Sequence, residues 1–329
     1  VRELICASIM KQVSERVNYM GKRIVVFGSY VTDLTGRATR FPVPGETVLG
    51  TSFHPGPGGK GSNQAVAAFR AGGDVTLVTK LGKDAFGRMA RDFYTHEGMD
   101  TSALLEDDTH ETGAALIMVN EQSGQNMIMV LNGACNHVTK EDICARKELI
   151  EQADYLLVQM EINVDALEEV IRVAYDSGVR VILNPAPVQA LDDEIMALVD
   201  TVTPNETEAA VLTGVKVVDL ASAHQAAQVF LNKGVRNVII TLGGNGVYCT
   251  DGTREELVER IPVQAVDTTG AGDAFNGGFI TALSNGLDLF EAVRYGNCTG
   301  ALSVTKLGTA PAMPHKEEID ALYQINYGG

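Results

Sequence analysis

Basic residues are few in this 329-residue sequence: 26 Lys and Arg stand against 42 Asp and Glu, which gives a net charge of −16. A surface of that sign repels phosphate backbones and anionic lipid headgroups. We therefore expect neither nucleic acid nor a membrane as a main partner. Any ligand that carries phosphate must be held locally, by backbone dipoles, a metal ion or a few placed side chains.

Cysteine is also scarce, and long apolar runs are absent. The five cysteines are scattered without a C-x-x-C pair, which argues against a disulfide framework and against structural zinc. No apolar run approaches the ~18 residues that indicate a membrane span, and the first twenty residues lack the features of a signal peptide. We therefore expect a cytoplasmic protein in which the thiols are reduced: Cys6, Cys135, Cys144, Cys249 and Cys298.

Residues 1–20 differ in pattern from the rest of the chain. Apolar residues recur there at helical spacing, and the pattern ends at Met20. We expect a helical extension in front of one domain that covers residues 21–329. The extension is interpreted as a mis-assigned start, with translation beginning at Met20, as a fusion remnant, or as a regulatory or oligomerising arm. Its apolar positions are Leu4, Ile5, Ile9, Val13 and Val17.

From Arg23 onward, short apolar runs of β-type composition alternate with helical patterns. Continuous Val, Ile and Leu runs between amphipathic helices predict an α/β fold, with a mostly parallel sheet covered by helices on both faces. Ligands in such sheets lie beyond the carboxyl ends of the strands. The predicted strands are 23–28, 75–80, 155–160, 179–184, 200–204, 237–243 and 246–250. The helical patterns include 63–72, 85–98, 164–177, 206–213, 221–233, 272–285 and 288–305.

Two segments interrupt this alternation. Residues 34–57 are rich in Gly, Pro and Thr without a helical period, and residues 112–131 read as two strands around a Ser123-Gly124 turn. Together they predict a small antiparallel sheet that projects from the main domain. An exposed apolar sheet of this kind serves as a lid, as a dimer surface, or as both.

The stretch PGPGGKGSNQAVAAF at 55–69 is a glycine cluster that fits neither common nucleotide motif. A phosphate-binding P-loop needs glycine where His54 stands and Ser or Thr where Gly61 stands, and the dinucleotide motif needs glycine at Gln64. One interpretation is a backbone that approaches a small ligand closely, with Lys60 and Asn63 bonding its hydroxyl groups. A loop with a glycine-rich helix cap is an equal alternative.

Two further stretches follow predicted strands. In TPNETEAAVLTG at 203–214, Asn205 and Glu208 have the spacing of a capping box, which explains them without a metal or phosphate role. In TLGGNGV at 241–247, the glycines lie at the carboxyl end of a strand. A nucleotide site there and a plain hairpin turn are both consistent with the pattern.

The stretch VDTTGAGDAFNGGF at 266–279 places glycines and one carboxylate at the start of a helix. The backbone N–H groups of the first helical turn suit a phosphate that gains negative charge during transfer. Asp273 beside them can accept a proton from an attacking hydroxyl. Taken alone, the position of an aspartate in a first helical turn is explained by its favourable interaction with the helix dipole. The other glycine segments in one α/β chain favour the chemical role.

Two of these segments resemble the paired signatures of the ribokinase-like carbohydrate kinases. GGKGSNQAVAA at 58–68 and DTTGAGDAFNGGF at 267–279 carry the resemblance, and NPAP, TPNETEA and ITLGGNGV fall between them in the family's order. The resemblance extends from about Arg23 to the carboxyl end of the sequence. The resemblance implies the family's three-layer, Rossmann-like fold, with the small sheet as its lid and as the contact of a homodimer.

The resemblance also implies roles for individual positions. Asp273 matches the family's catalytic base, and the N–H groups of Gly270, Ala271 and Gly272 match its anion hole. The positions that match contacts to the sugar are Asp33, Gly59, Lys60, Asn63, Glu161 and Asp273.

Nucleotide and metal positions follow in the same way. Asn205 and Glu208 match the family's Asn-x-x-Glu element, which is tied to phosphate and, through water, to Mg²⁺. The positions that match nucleotide contacts are Asn205, Thr241, Gly243, Gly246, Gly272 and Asn297. The positions that match a site for K⁺ are Asp267, Thr269, Ser303, Lys306 and Gly308.

The implied reaction is the ATP-dependent phosphorylation of a pentose at its primary 5-hydroxyl. Val31 departs from the pattern, because members that act on ribose carry an asparagine there, which bonds sugar hydroxyls. A hydroxyl that faces an apolar side chain is left unpaired at a cost of about 1–3 kcal/mol. The expected acceptor is therefore ribose or 2-deoxyribose.

Two alternatives lie outside pentose phosphorylation. The acceptor of a family enzyme can also be a hexose or a nucleoside. A nucleoside favours an aromatic platform, and because tryptophan is absent, Tyr30 or Phe53 would have to supply it. The second alternative is a non-catalytic sugar-binding regulatory module. The intact Gly-Ala-Gly-Asp argues against it, since a sensor has no need of the base.

Overall fold

The structure is a computed structural model that describes residues 21–328. The helical extension predicted for residues 1–20 lies outside the described residues. The strands are β1 (Arg23–Phe27), β2 (Val31–Ala38), β3 (Ser52–Gly58), β4 (Asp74–Val78), β5 (Lys80–Gly82), β6 (Leu105–Asp107), β7 (Thr112–Asn120), β8 (Asn126–Gly133), β9 (Tyr155–Gln159), β10 (Arg180–Asn184), β11 (Thr201–Val202), β12 (Asn237–Thr241), β13 (Val247–Thr250) and β14 (Glu255–Val258).

The helices alternate with these strands along most of the chain. They are α1 (Lys60–Arg70), α2 (Ala85–Glu97), α3 (Lys140–Glu151), α4 (Val164–Asp176), α5 (Asp193–Met196), α6 (Glu206–Thr213), α7 (Leu220–Asn232), α8 (Ala271–Ser284), α9 (Leu289–Ser303) and α10 (Lys316–Tyr327). Helices α3, α6, α7 and α9 begin with a reciprocal capping box, at Thr139, Asn205, Asp219 and Asp288. These caps satisfy backbone N–H groups that the first helical turn leaves free.

The main sheet has eight strands in the order β14-β13-β12-β11-β10-β9-β1-β4. The six strands from β12 to β4 are parallel, and β13 and β14 add an antiparallel edge. This confirms the predicted α/β fold. The chain passes from β1 outward to β4 and from β9 outward in the other direction, so the strand order reverses between β1 and β9. Ligands bind at the carboxyl ends of strands at such a reversal.

Helices cover both faces of this sheet, and successive strand residues point into opposite cores. In β1, Ile24 and Val26 face the layer of α1, α2, α8, α9 and α10, whereas Val25 and Phe27 face the layer of α3 to α7. All four side chains are at most 3% exposed. Burial of each such side chain stabilises the fold by roughly 1.5–3 kcal/mol.

Helices α1 and α8 pack unusually closely, because Gly277 lies at their contact. A Cβ atom at Gly277 would lie 2.7 Å from the backbone nitrogen of Ala68, which is closer than real Cβ contacts. The missing side chain lets the two helices meet backbone to backbone. The amino-terminal turns of α1 and α8, which carry the two glycine-rich signatures, are thereby brought together.

A second, four-stranded sheet has the order β3-β2-β7-β8. Its outer pairs, β2–β3 and β7–β8, are antiparallel as predicted. Its middle pair, β2–β7, is parallel over eight positions, which the sequence did not predict. Apolar side chains on β8 are exposed, among them Met127 at 51%, Met129 at 55% and Leu131 at 52%. Within residues 21–328, no helix has the length and apolar character needed to cross a bilayer.

Candidate active site

Polar residues that follow β1 and β9 meet where the strand order reverses. The hydroxyl of Ser29 donates to Oε2 of Glu161 over 2.5 Å, and the backbone N–H of Lys60 donates to the same oxygen over 2.9 Å. The Glu161 side chain is buried. Burial raises its pKa, while the charge of Lys60 and these two hydrogen bonds lower it. Glu161 thus joins the start of α1 to the edge of the main sheet.

Gly59 begins α1 in a conformation that favours glycine. Its φ is 89°, and a Cβ atom there would lie 2.7 Å from the backbone nitrogen of Val31. Both facts require the absence of a side chain. The signature segment therefore lies directly against the start of β2, which carries Val31 and Asp33.

Asp273 lies in the first turn of α8 and is 6% exposed. Its Oδ2 accepts from Nδ2 of Asn63 over 2.9 Å, and its Oδ1 accepts from Nε2 of Gln64 over 2.9 Å. The helix begins at Gly270, which has a φ of 78° and supplies no capping side chain. The N–H end of α8 therefore faces the same space as the Asp273 carboxylate, which favours an anion there.

Asp33 extends the site onto β2. Its Oδ2 accepts from the hydroxyl of Thr309 over 3.0 Å, and burial raises its pKa to about 6. The Thr309 hydrogen bond opposes that rise, and the charges of Glu161 and Asp273 add to it. The structure therefore brings the predicted sugar positions together at the reversal of strand order: Asp33, Gly59, Lys60, Asn63, Glu161 and Asp273.

Two atoms at this site lack partners. Within the described residues, Oδ1 of Asn63 and Oε1 of Gln159 are buried without a hydrogen bond. A buried polar atom without a partner costs about 1–3 kcal/mol. Oδ1 of Asn63 needs a hydrogen-bond donor, and a ligand hydroxyl can supply one.

A cleft of about 530 Å³ continues from Asp273 toward β12 and β13. It is large enough for a nucleotide-sized ligand, since ligand pockets span ~300–1,000 Å³. All the predicted nucleotide and magnesium positions line it: Asn205, Glu208, Thr241, Gly243, Gly246, Gly272 and Asn297. Asn297 also donates to the backbone oxygen of Glu259 over 2.8 Å, which fixes its side chain at the mouth of the cleft.

Asn205 and Glu208 form the predicted capping box. Oδ1 of Asn205 accepts from the Glu208 N–H, and Oε2 of Glu208 accepts from the Asn205 N–H, each over 2.8 Å. Burial raises the pKa of Glu208, and its hydrogen bond to Asn205 opposes the rise. The predicted turn between β12 and β13 is also confirmed, because a short 3₁₀ turn from Gly243 to Asn245 joins them as a hairpin.

Lys60 lies between the sugar positions and the nucleotide cleft. The charge of Asp273 raises its pKa most, burial lowers it, and the charges of Glu161 and Glu208 raise it further. Its side chain also lines the cleft. The ammonium group is thus held charged between the predicted sugar positions and the cleft.

The residues predicted to hold K⁺ are only partly gathered. Oδ1 of Asp267 accepts from the Thr269 N–H over 3.0 Å and Oδ2 accepts from the Gly308 N–H over 3.2 Å, so the carboxylate ties the two loops together. The Ser303 hydroxyl donates to its own helix, at the Gly300 oxygen. The Lys306 side chain pairs with Glu318 over 2.9 Å. The Lys306 side chain is therefore directed away from Asp267, and only the Lys306 backbone is available to a cation.

Several polar residues at the site were not predicted as functional. From the sequence, Gln64 is only a departure from the dinucleotide motif, and Gln159, Asn184 and Ser29 were not predicted as site residues. Gln159 and Asn184 are the last residues of β9 and β10. A polar residue that ends an apolar strand is the one signal that would have pointed to them.

Comparison with known proteins gives concordant results. The family model "pfkB family carbohydrate kinase" matches residues 21–316. The chain is 41% identical to a ribokinase of Haemophilus influenzae, over 91% of this chain and 97% of that protein. It is 33% identical to a deoxyribokinase of Salmonella typhimurium, over 92% of this chain and 99% of that protein.

Solved structures agree with these relatives. Ribokinase from Thermotoga maritima superposes with a TM-score of 0.84 at 35% identity, covering 92% of this chain and 99% of that one. Arabidopsis thaliana ribokinase, solved with ribose and ATP, superposes with a TM-score of 0.85 at 29% identity over the same shares. The resemblance carried by the two glycine-rich signatures is confirmed, and the chain belongs to the pfkB family of carbohydrate kinases.

Proposed function

We propose that this enzyme transfers the γ-phosphoryl group of ATP to the primary 5-hydroxyl of a pentose. The observation that carries the proposal is the junction at Asp273, whose carboxylate is bonded by the sugar signature at Asn63 and lies at the N–H end of α8. Asp273 and Lys60 also line the cleft that contains the predicted nucleotide positions. The ribokinases and deoxyribokinases among its relatives support the same acceptor class.

Asp273 acts as the general base. It takes the proton of the 5-hydroxyl while the oxygen attacks the γ-phosphorus. The backbone N–H groups of Gly270, Ala271 and Gly272 and the Lys60 ammonium neutralise the transferred group. Mg²⁺, held through water by Asn205 and Glu208, would supply further positive charge to the phosphate oxygens. Within the described residues, no cluster of three or more His, Cys, Asp or Glu side chains is placed to hold a metal ion directly.

The sugar is held by Asp33, Asn63 and Glu161. An ionised carboxylate accepts from hydroxyls, and Oδ1 of Asn63 lacks any other donor among the described residues. Val31 is 3% exposed at the start of β2 and offers no hydrogen bond. A sugar without the facing hydroxyl avoids the unpaired group, so 2-deoxyribose is a second candidate acceptor beside ribose.

Three further properties belong to the proposal. Thr241, Gly243, Gly246 and Asn297 bind the nucleotide. Asp267, Thr269 and Gly308, with backbone from residues 303–306, bind K⁺. Equal turnover rates in K⁺ and in a large organic cation would refute the K⁺ site. The four-stranded sheet closes over the sugar and joins two copies through its exposed apolar side chains. The enzyme works in the cytoplasm.

A coupled assay of ADP release across a panel of sugars tests the proposal. Ribose, 2-deoxyribose, fructose and adenosine are each offered with MgATP. We expect turnover with one or both pentoses and little with the others. A preference for fructose or adenosine would show that the acceptor is a hexose or a nucleoside instead of a pentose. Sugar binding by calorimetry without any turnover would instead indicate a regulatory sugar-binding module.

A further inference from the structure

A chain of buried amide side chains runs behind the Asp273 carboxylate. Nε2 of Gln64 donates to Oδ1 of Asp273 over 2.9 Å and to Oδ1 of Asn184 over 3.0 Å. Oε1 of Gln64 accepts from Nε2 of Gln159 over 2.7 Å. Gln64 and Gln159 are both fully buried. Every hydrogen of the Gln64 amide group and its oxygen are therefore engaged.

The orientation of these amides follows from one backbone atom. Asn184 donates Nδ2 to the backbone oxygen of Thr203 over 3.0 Å, and a backbone carbonyl can only accept. Oδ1 of Asn184 must then face Gln64, so Gln64 must present its NH₂ group there. The same NH₂ group reaches Asp273. Its orientation is thus fixed by the fold and does not depend on a choice between two flipped amides.

The two oxygens of Asp273 consequently lie in different surroundings. Oδ1 is bonded by Gln64, which belongs to the buried amide chain. Oδ2 is bonded by Asn63, whose own Oδ1 is buried without a partner among the described residues. A ligand hydroxyl that satisfies Asn63 lies on the Oδ2 side of the carboxylate.

We propose that Gln64 is a positioning residue that anchors Oδ1 of Asp273 and leaves Oδ2 as the oxygen that accepts the proton. This rests on the proposed kinase function. In the step, the O5–H bond breaks and its proton moves to Oδ2. The electron pair of O5 forms a bond to the γ-phosphorus, and the bond from that phosphorus to the bridging oxygen breaks to release ADP.

Without the anchor, only the Asn63 hydrogen bond restrains the carboxylate, and it can rotate about that bond because the terminal torsion of aspartate has a broad and nearly two-fold profile. Misplacement of a reacting group by about 1 Å costs on the order of 10²-fold in rate. Gln64 touches neither ligand in this scheme. Its loss should therefore lower kcat and leave the KM values for sugar and ATP nearly unchanged.

The test compares Gln64→Met with Gln159→Met. The two glutamines are equally buried and bonded to each other, but among the described residues Gln159 has no hydrogen bond to Asp273. We expect Gln64→Met to lose more thermal stability than Gln159→Met, because it breaks three hydrogen bonds and Gln159→Met breaks one. Gln64→Met should lose about 10- to 100-fold in kcat with KM within about threefold, whereas Gln159→Met should keep kcat within about threefold. Equal kcat losses in both would overturn the proposal, because they would indicate a merely structural role.

Gln64→Glu provides a second variant of the same volume. Its side chain cannot donate to Asp273 and Asn184 together, so we again expect a lower kcat at unchanged sugar affinity. Crystal structures supply a readout besides activity: the Asp273 carboxylate should be rotated in a Gln64 variant and unchanged in Gln159→Met. An unrotated carboxylate in the Gln64 variants would refute the anchor. A wild-type enzyme without turnover on any sugar would instead refute the kinase function itself.

Discussion

Asn63 donates its side-chain amide to Oδ2 of Asp273 over 2.9 Å, although 210 positions separate the two residues in the sequence. The first belongs to the glycine-rich signature at 58–68 and the second to the signature at 267–279. Helices α1 and α8 hold this bond in place, because they meet without a side chain at Gly277. The bond joins the two halves of the site into one.

Replacement of Asp273 tests the general base. In Asp273→Asn, we expect kcat to fall at least ~10²-fold, in line with the contribution of a positioned base. The substitution replaces one carboxylate oxygen of Asp273 with an NH₂ group, which then faces the amide donor of Asn63 or Gln64. Because two donors face each other, the free energy of unfolding should fall as well. Steady-state kinetics and calorimetric sugar binding measure both effects. Near-normal turnover with intact sugar affinity would remove the base assignment.

Replacement of Val31 tests sugar specificity. Val31→Asn supplies the missing hydrogen bond, and we expect the ratio of kcat/KM for ribose over 2-deoxyribose to rise by about tenfold, equivalent to ~1.4 kcal/mol. Val31→Ala is the matched control, since it removes bulk without offering a partner. A ratio that stays the same in the asparagine variant would show that no hydroxyl faces this position.

The raised pKa of Asp33 predicts a pH dependence of sugar binding. Since its pKa is about 6, about a tenth of Asp33 is ionised at about pH 5, and sugar affinity should be up to about tenfold weaker there than at about pH 7.5. Asp33→Asn should lose this dependence, although its affinity is lower throughout. Calorimetric titrations at the two pH values measure it, and parallel curves for both proteins would contradict it.

The free energy of unfolding should also depend on the ionisation of Asp33, but it should fall with rising pH where sugar affinity rises. The folded pKa of Asp33 lies above its usual value of 3.8, so the folded state binds this proton more tightly than the unfolded state. The contribution of Asp33 is therefore fully present below about pH 4 and is lost as the pH rises through about 6. Burial also raises the pKa values of Glu161 and Glu208. The difference between wild type and Asp33→Asn in urea unfolding isolates the part due to Asp33.

Gly277→Ala tests the close contact of α1 and α8. The added methyl group must displace the backbone of α1, and overpacking of this kind costs about 1–3 kcal/mol. We expect a lower midpoint of thermal unfolding and a lower kcat, because the bond between Asn63 and Asp273 is stretched. Gly36→Ala is the control, since nothing lies within 4 Å of a Cβ atom there. Equal effects of both variants would disprove the contact as the cause.

Exposed apolar residues on β8 predict self-association. We expect the wild type to sediment as a dimer and Met129→Lys as a monomer, because a charge would be buried in the contact. Val211→Lys is the matched control: Val211 is 65% exposed on α6, a helix that packs on α7 and on β12 of the main sheet. A wild type that sediments as a monomer at micromolar concentration would contradict the prediction.

The sequence was sufficient for features whose signals are local. Apolar runs, helical periods and glycine-rich starts of helices identified the main sheet, both signatures and Asp273. The amide chain of Gln64, Gln159 and Asn184 was not predictable, because its bonds depend on how α1 packs against two strands and α8. The parallel pairing of β2 with β7 was missed for a related reason. It joins segments about eighty positions apart, and no turn between them sets the register.

That parallel pairing ties two tasks to one strand. Asp33 lies in β2, which pairs with β3 on one side and β7 on the other, and all three belong to the sheet that we propose covers the site. If both proposals hold, sugar discrimination and solvent exclusion depend on the same strand, β2. A substitution on β2 that changes sugar binding would then also change how the sheet covers the site. New acceptor specificities should therefore arise through paired substitutions on β2 and β7 rather than through single replacements in the pocket.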